Sequence, residues 1–153
     1  MLFRSLTLAA GGRGMVYGQD FDMYWTGRAD FNSQILEKIH RNKTGALIGA
    51  ACSMGALCGG ANDEQARVWR EFGVLVGVAF QAVDDALDGA RTIGKTPNKD
   101  KGQKKLTYLT LFEPEEVAAL AREKTKAALA LIPGNVRADG ISEFVESLLS
   151  RPK

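Results

Sequence analysis

Apolar residues along this chain recur at the three- and four-residue spacing of helix faces, and no period-2 alternation runs longer than four residues. The pattern predicts a helix over 3–25, interrupted by Gly11, Gly12, Gly14 and Gly18 and ended by Thr26-Gly27. Glycine inside a helix costs about 1 kcal/mol against alanine and is tolerated where a backbone must come close to another helix or a ligand. Asn32 or Ser33 caps a second helix, Gln34 to Leu57, with Ile35, Ile39, Leu47, Ile48 and Met54 as its apolar positions, and Gly59-Gly60 stops it. Asn62 or Asp63 caps a third helix over 64–88, whose Val74, Leu75, Val78 and Phe80 mark it as central. Residues 89–103 read as a basic loop, 106–112 as a short helix, and Pro114 as the first turn of a helix reaching about Ile132. Pro133-Gly134 breaks that helix, and Ser142 caps a last one from Glu143 to Leu149. The predicted fold is all-α, a single helical domain over 1–153.

One stretch departs from what stability alone would select. Within Phe80-Gln81-Ala82-Val83-Asp84-Asp85-Ala86-Leu87-Asp88, the residues Gln81, Asp84, Asp85 and Asp88 share one helix face, with Phe80, Val83 and Leu87 turned to the core. A bland reading is a solvated helix face. Against it, Asp is a poor helix former, like charges at i,i+3 and i,i+4 repel, and a helix C-terminus disfavours anions. A cation among the carboxylates relieves all three costs, and Mg²⁺ takes oxygen ligands while keeping waters and substrate phosphates. The stripe therefore reads as half of a metal-and-phosphate site.

Composition narrows the partners. The chain has 153 residues, 45% of them hydrophobic and 25% charged, with a formal net charge of +2. That near-balance argues against a general nucleic-acid binder, so any anion site depends on local placement of Lys and Arg. No stretch reaches the roughly 20 apolar residues of a membrane span. Cys52 and Cys58 read as reduced thiols packed in a helical core, which suits the cytoplasm.

Three further groups stand out. Lys95, Lys99, Lys101, Lys104 and Lys105 follow the acidic helix closely, with Asp100 among them. His40-Arg41-Asn42-Lys43-Thr44-Gly45 puts basic residues into an otherwise small and apolar helix. Gly18-Gln19-Asp20-Phe21-Asp22 places Gln19 and Asp22 on one face at i,i+3. Each alone reads as solvated surface.

Their order is more specific: Gly-Gln-x-x-Asp, then Lys-Thr-Gly, then Phe-Gln-x-x-Asp-Asp-x-x-Asp, then Gly-Lys-x-x-x-x-Asp-x-x-x-x-Lys-x-Thr-Tyr. From about Leu6 to the C-terminus the chain resembles the C-terminal half of the trans-isoprenyl diphosphate synthases, the polyprenyl synthetase family, nearest the bacterial farnesyl or geranyltranstransferase type. The resemblance implies a prenyl-synthase helical bundle that joins an allylic diphosphate to isopentenyl diphosphate by ionisation, condensation and elimination. It implies Mg²⁺ at Asp84, Asp85 and Asp88, with Asp100 and Lys105 closing a loop over the metals. By the same carry-over, Lys43 and Lys95 hold diphosphate, Thr44 and Gln81 steady the carbocation, and Gln19 and Asp22 line the allylic site.

The family also carries a first aspartate-rich motif upstream of Gly-Gln-x-x-Asp; this sequence has only one aspartate-rich motif, and the first acids in the matched region are Asp20 and Asp22, within Gly-Gln-x-x-Asp itself. The expectation is therefore an N-terminally truncated synthase that is inactive or nearly so alone. Its exposed apolar wall would lead it to self-associate or pair with the missing half. An alternative is a noncatalytic helical subunit that complements a second chain bearing the first motif. A class I terpene cyclase shares the metal logic, but the Lys-Thr-Gly and Gly-Gln-x-x-Asp motifs do not suit it.

Overall fold

The computed structural model describes the backbone of residues 2–92, 106–134, 136 and 139–149, and the side chains of these apart from 88–92 and 149. Among the described residues the elements are helices and turns, as the apolar spacing predicts. They are α1 (Leu2–Ala10), α2 (Met15–Trp25), α3 (Ser33–His40), a π turn (Arg41–Gly45), α4 (Ala46–Cys58), α5 (Asp63–Thr92), a 3₁₀ turn (Tyr108–Thr110), α6 (Pro114–Ala130) and α7 (Asp139–Leu149).

Local chemistry explains most boundaries. Asn32 Oδ1 accepts from the backbone N–H groups of Gln34 and Ile35, both at 3.0 Å, so Asn32 and not Ser33 is the cap of α3. Asn62 and Gln65 cap α5 reciprocally: Asn62 Oδ1 accepts from Gln65 N and Gln65 Oε1 from Asn62 N, each at 2.9 Å. Glu113 and Glu116 form the same kind of box ahead of Pro114 on α6. Gly27 (φ 80°) and Gly60 (φ 88°) take the left-handed conformation just beyond α2 and α4, which a β-carbon would disfavour.

Five expectations change. The predicted 3–25 helix is two helices, because Gly11–Gly14 turn the chain between α1 and α2. The predicted 34–57 helix is interrupted by the π turn, at the basic residues that stood out in its sequence. Over 106–112 only Tyr108–Thr110 is helical, and α7 begins at Asp139, ahead of Ser142. Cys52 is half-buried, its thiol pKa raised by burial, whereas Cys58 is exposed at the end of α4.

α5 is the central element. Val78, Ala79 and Ala82 on it have no exposure, while Leu75 and Phe80 are half-buried. The end of the π turn and α4 lie along it because glycines face glycines. A β-carbon on Gly73 would stand 2.7 Å from Gly49 Cα, and one on Gly77 2.7 Å from Gly45 Cα. A cluster of Leu36, Ile39, Ala82, Leu106, Tyr108, Val117 and Ala121 joins α3, α5, α6 and the 106–108 strip. A second cluster of Phe72, Val76, Ala128 and Val145 joins α5 to α6 and α7. These two clusters fix α5 between its neighbours and leave the face bearing Gln81 and Asp84 beside the π turn.

Candidate active site

The site begins with the π turn. Inserting one extra residue per turn widens the helix, and such bulges recur at functional sites because they re-aim side chains. Here consecutive residues reach different helices. Lys43 Nζ bonds Asp22 Oδ2 on α2 at 2.6 Å, and Thr44 Oγ1 donates to Gln81 Oε1 on α5 at 2.8 Å. Gly18 makes the first contact possible. A β-carbon there would collide with the backbone N of Lys43, so only glycine lets α2 lie against the turn. Asp22 follows one helical turn later, within reach of the ammonium.

Asp84 lies one turn beyond Gln81 on α5 and is half-buried. Asp85 behaves differently. The four stripe positions span about 100° of the helix circumference, and Asp85 lies at the edge nearest the core. It is only 2% exposed, and its Oδ2 accepts a 2.8 Å hydrogen bond from the backbone N–H of Tyr108. Asp85 thus ties α5 to the chain on the far side of residues 93–105. Gln19 is exposed on α2.

The side chain of Asp88, and Lys95, Asp100 and Lys105 altogether, lie outside the described residues. Among the described residues no three His, Cys, Asp or Glu side chains converge as a metal cage. The donors that are described, the carboxylates of Asp84 and Asp85, are oxygen donors of the kind a hard divalent cation prefers.

Two features escaped the sequence reading. Arg41, read with its neighbours as solvated rim, binds Glu71 through Nη2 at 2.8 and 2.9 Å to the two carboxylate oxygens, pinning the π turn to α5. Tyr108 is 1% exposed and packs against His40 with ring centroids 5.0 Å apart. Its phenol pKa is pushed up, first by burial and then by the negative charges of Glu37 and Asp85. No spacing rule foretells either, since both depend on residues that are distant in sequence.

The family model described as polyprenyl synthetase matches residues 6–139, most of the chain and all of the π turn and α5. The chain belongs to the polyprenyl synthetase family. This polyprenyl synthetase chain is 42% identical over 130 residues to the farnesyl diphosphate synthase of Geobacillus stearothermophilus, covering 83% of this chain and 41% of that protein. It is 38% identical over 126 residues to a chloroplastic geranylgeranyl pyrophosphate synthase of Catharanthus roseus, covering 80% of this chain and 35% of that one. An FPP/GFPP synthase from Zymomonas mobilis superposes with a TM-score of 0.80 at 27% identity, over 96% of this chain and 49% of that one. The polyprenyl synthetase chain thus spans between about a third and a half of the proteins it resembles. Its helices have the prenyl-synthase arrangement, and none among the described residues is long and apolar enough to cross a membrane.

Proposed function

We propose that this chain carries the diphosphate-ionising wall of an isoprenyl diphosphate synthase, which condenses an allylic diphosphate with isopentenyl diphosphate. The observation that supports it best is the pairing of Lys43 with Asp22 and of Thr44 with Gln81 from adjacent positions of one π turn, with Asp84 one turn further along α5.

In this reading Lys43 exchanges Asp22 for a phosphate oxygen of the allylic substrate, placing a positive charge where the leaving group gathers negative charge. Thr44 Oγ1 and Gln81 Oε1 turn oxygen dipoles toward the allylic carbon as it becomes electron-poor. Their mutual hydrogen bond holds both in place before substrate arrives. The half-buried Asp84, with Asp88 and Asp100, would hold Mg²⁺, which when bound neutralises the diphosphate and eases its departure. Asp85 would join this cluster from the buried edge of the stripe, with its Oδ2 also accepting from Tyr108 N. Gln19 and Asp22 line the allylic side, and Lys95 and Lys105 assist with the phosphates. The isopentenyl double bond then attacks the cation and a proton leaves to restore the alkene.

The 153 residues by themselves give little or no prenyl transfer in this reading, because these carboxylates make one wall of a two-walled metal cluster. Cys52 and Cys58, both free, suit a reducing compartment such as the cytoplasm. The test has two parts. Calorimetry with a non-hydrolysable allylic diphosphate should show binding that needs Mg²⁺ and weakens at least tenfold in Asp84→Ala. Binding indifferent to both metal and Asp84 would overturn the metal assignment. Isopentenyl incorporation by the purified chain should be at background, and robust turnover would overturn the need for a facing wall.

A further inference from the structure

The π turn has a second side. Lys43 and Thr44 point to the candidate active site, but Arg41 and Asn42 line a separate hollow of about 510 Å³ further toward the start of α5. Arg13, Lys38, Arg67 and Arg70 add to its basic wall. Its two carboxylates are already engaged. Glu71 is gripped by Arg41, and Glu37 is shared between Arg41 at 3.9 Å and Lys124 at 3.0 Å. Among the described residues Arg13, Arg67 and Arg70 stand in no ion pair, so three arginines line one hollow in excess of its engaged carboxylates.

Convergent like charges raise the free energy of the bare surface, and an anion relieves it. Guanidinium forks match the paired oxygens of phosphate groups, and a hollow of this size with arginines from three elements around it has room for two linked phosphates. The volume lies within the range of small-ligand sites.

We propose that this hollow is a second anion site that takes a diphosphate group, free or esterified, with Arg67, Arg70 and Arg13 as its ligands. It is independent of the candidate active site in its residues. The two share the π turn, however, because an anion seated here competes with Glu71 for Arg41, and Arg41 opens the turn that carries Lys43 and Thr44.

The test is a titration of the isotopically labelled 153-residue chain with inorganic diphosphate, free of divalent metal, followed by amide chemical shifts and calorimetry. ADP in a parallel titration distinguishes an esterified from a free diphosphate, the tighter ligand naming the source. Shifts are expected at residues 67–71 and 41–42. The Arg67→Gln/Arg70→Gln variant should weaken this binding at least tenfold, while Arg67→Lys/Arg70→Lys retains part of it and Lys43→Gln leaves it intact. Shifts confined to residues 19–22, 43–44 and 81–84 would overturn the proposal. So would orthophosphate binding as tightly as diphosphate, or unchanged affinity in a folded Arg67→Gln/Arg70→Gln chain.

Discussion

Thr44 Oγ1 and Gln81 Oε1 are joined by a 2.8 Å hydrogen bond although 37 positions separate them. The bond pins the π turn to α5. Thr44→Val keeps the shape and removes the donor, so it should cost about 1 kcal/mol, the ordinary net worth of such a bond. Thr44→Ser should retain most of it. Urea midpoints of the three chains measure this directly, and equal midpoints would mean the bond contributes nothing to helix register.

Asp85 and Tyr108 make a more consequential pair, because the acceptor is a nearly inaccessible carboxylate. Hydrogen bonds to charged groups contribute about 1.5–3 kcal/mol, and a buried donor left unmade carries its desolvation penalty as well. Asp85→Ala should therefore destabilise the chain by about 2–3 kcal/mol, with Asp85→Asn in between. Amide exchange at Tyr108 should accelerate in both, and a Tyr108 amide as protected in Asp85→Ala as in the parent chain would refute the latch.

The glycines of the α4–α5 seam should respond oppositely to one elsewhere on α4. Gly77→Ala drives a methyl to 2.7 Å from Gly45 Cα, and overpacking of this kind costs about 1–3 kcal/mol. Gly55→Ala meets nothing within 4 Å, so the higher helix propensity of alanine should stabilise by up to about 1 kcal/mol. Thermal melts should move in opposite directions.

Tyr108 ties stability to alkaline pH. Folding raises its phenol pKa above the ordinary value of 10.0. On raising the pH the unfolded chain ionises first and is favoured. The contribution is therefore complete below about pH 10 and is lost as the pH climbs above it. Cys52, raised from 9.0 by burial, acts the same way slightly earlier. The Tyr108 hydroxyl is buried without a hydrogen-bond partner among the described residues, so Tyr108→Phe should be neutral or slightly stabilising at about pH 7. It should also flatten the fall in melting temperature between about pH 10 and 11. A fall as steep as that of the parent chain would assign alkaline unfolding to other groups.

The all-α class, the Asn32 and Asn62 caps and the central place of α5 were legible in the sequence because they follow from local rules: apolar spacing, Asn caps, and glycine and proline breaks. The motif order also pointed to the family, since Gln81 and Asp84 on one helix, Lys43-Thr44 on another and Gln19 with Asp22 on a third carry a recognisable chemistry. Fine placement was not legible. Gln81, Asp84, Asp85 and Asp88 share one face of a helical wheel, and it is the packing of the 106–108 strip against one edge of that face that turns Asp85 inward to the Tyr108 amide. The π turn was visible merely as polar residues in an apolar helix. Its aim, with Lys43 toward Asp22, Thr44 toward Gln81 and Arg41 toward Glu71, was decided by how closely Gly18 and Gly45 let α2 and α5 approach. Spacing along the chain determines which residues can share a face. Which of them are buried, paired or left open depends on backbones that are distant in sequence and meet only in the folded state.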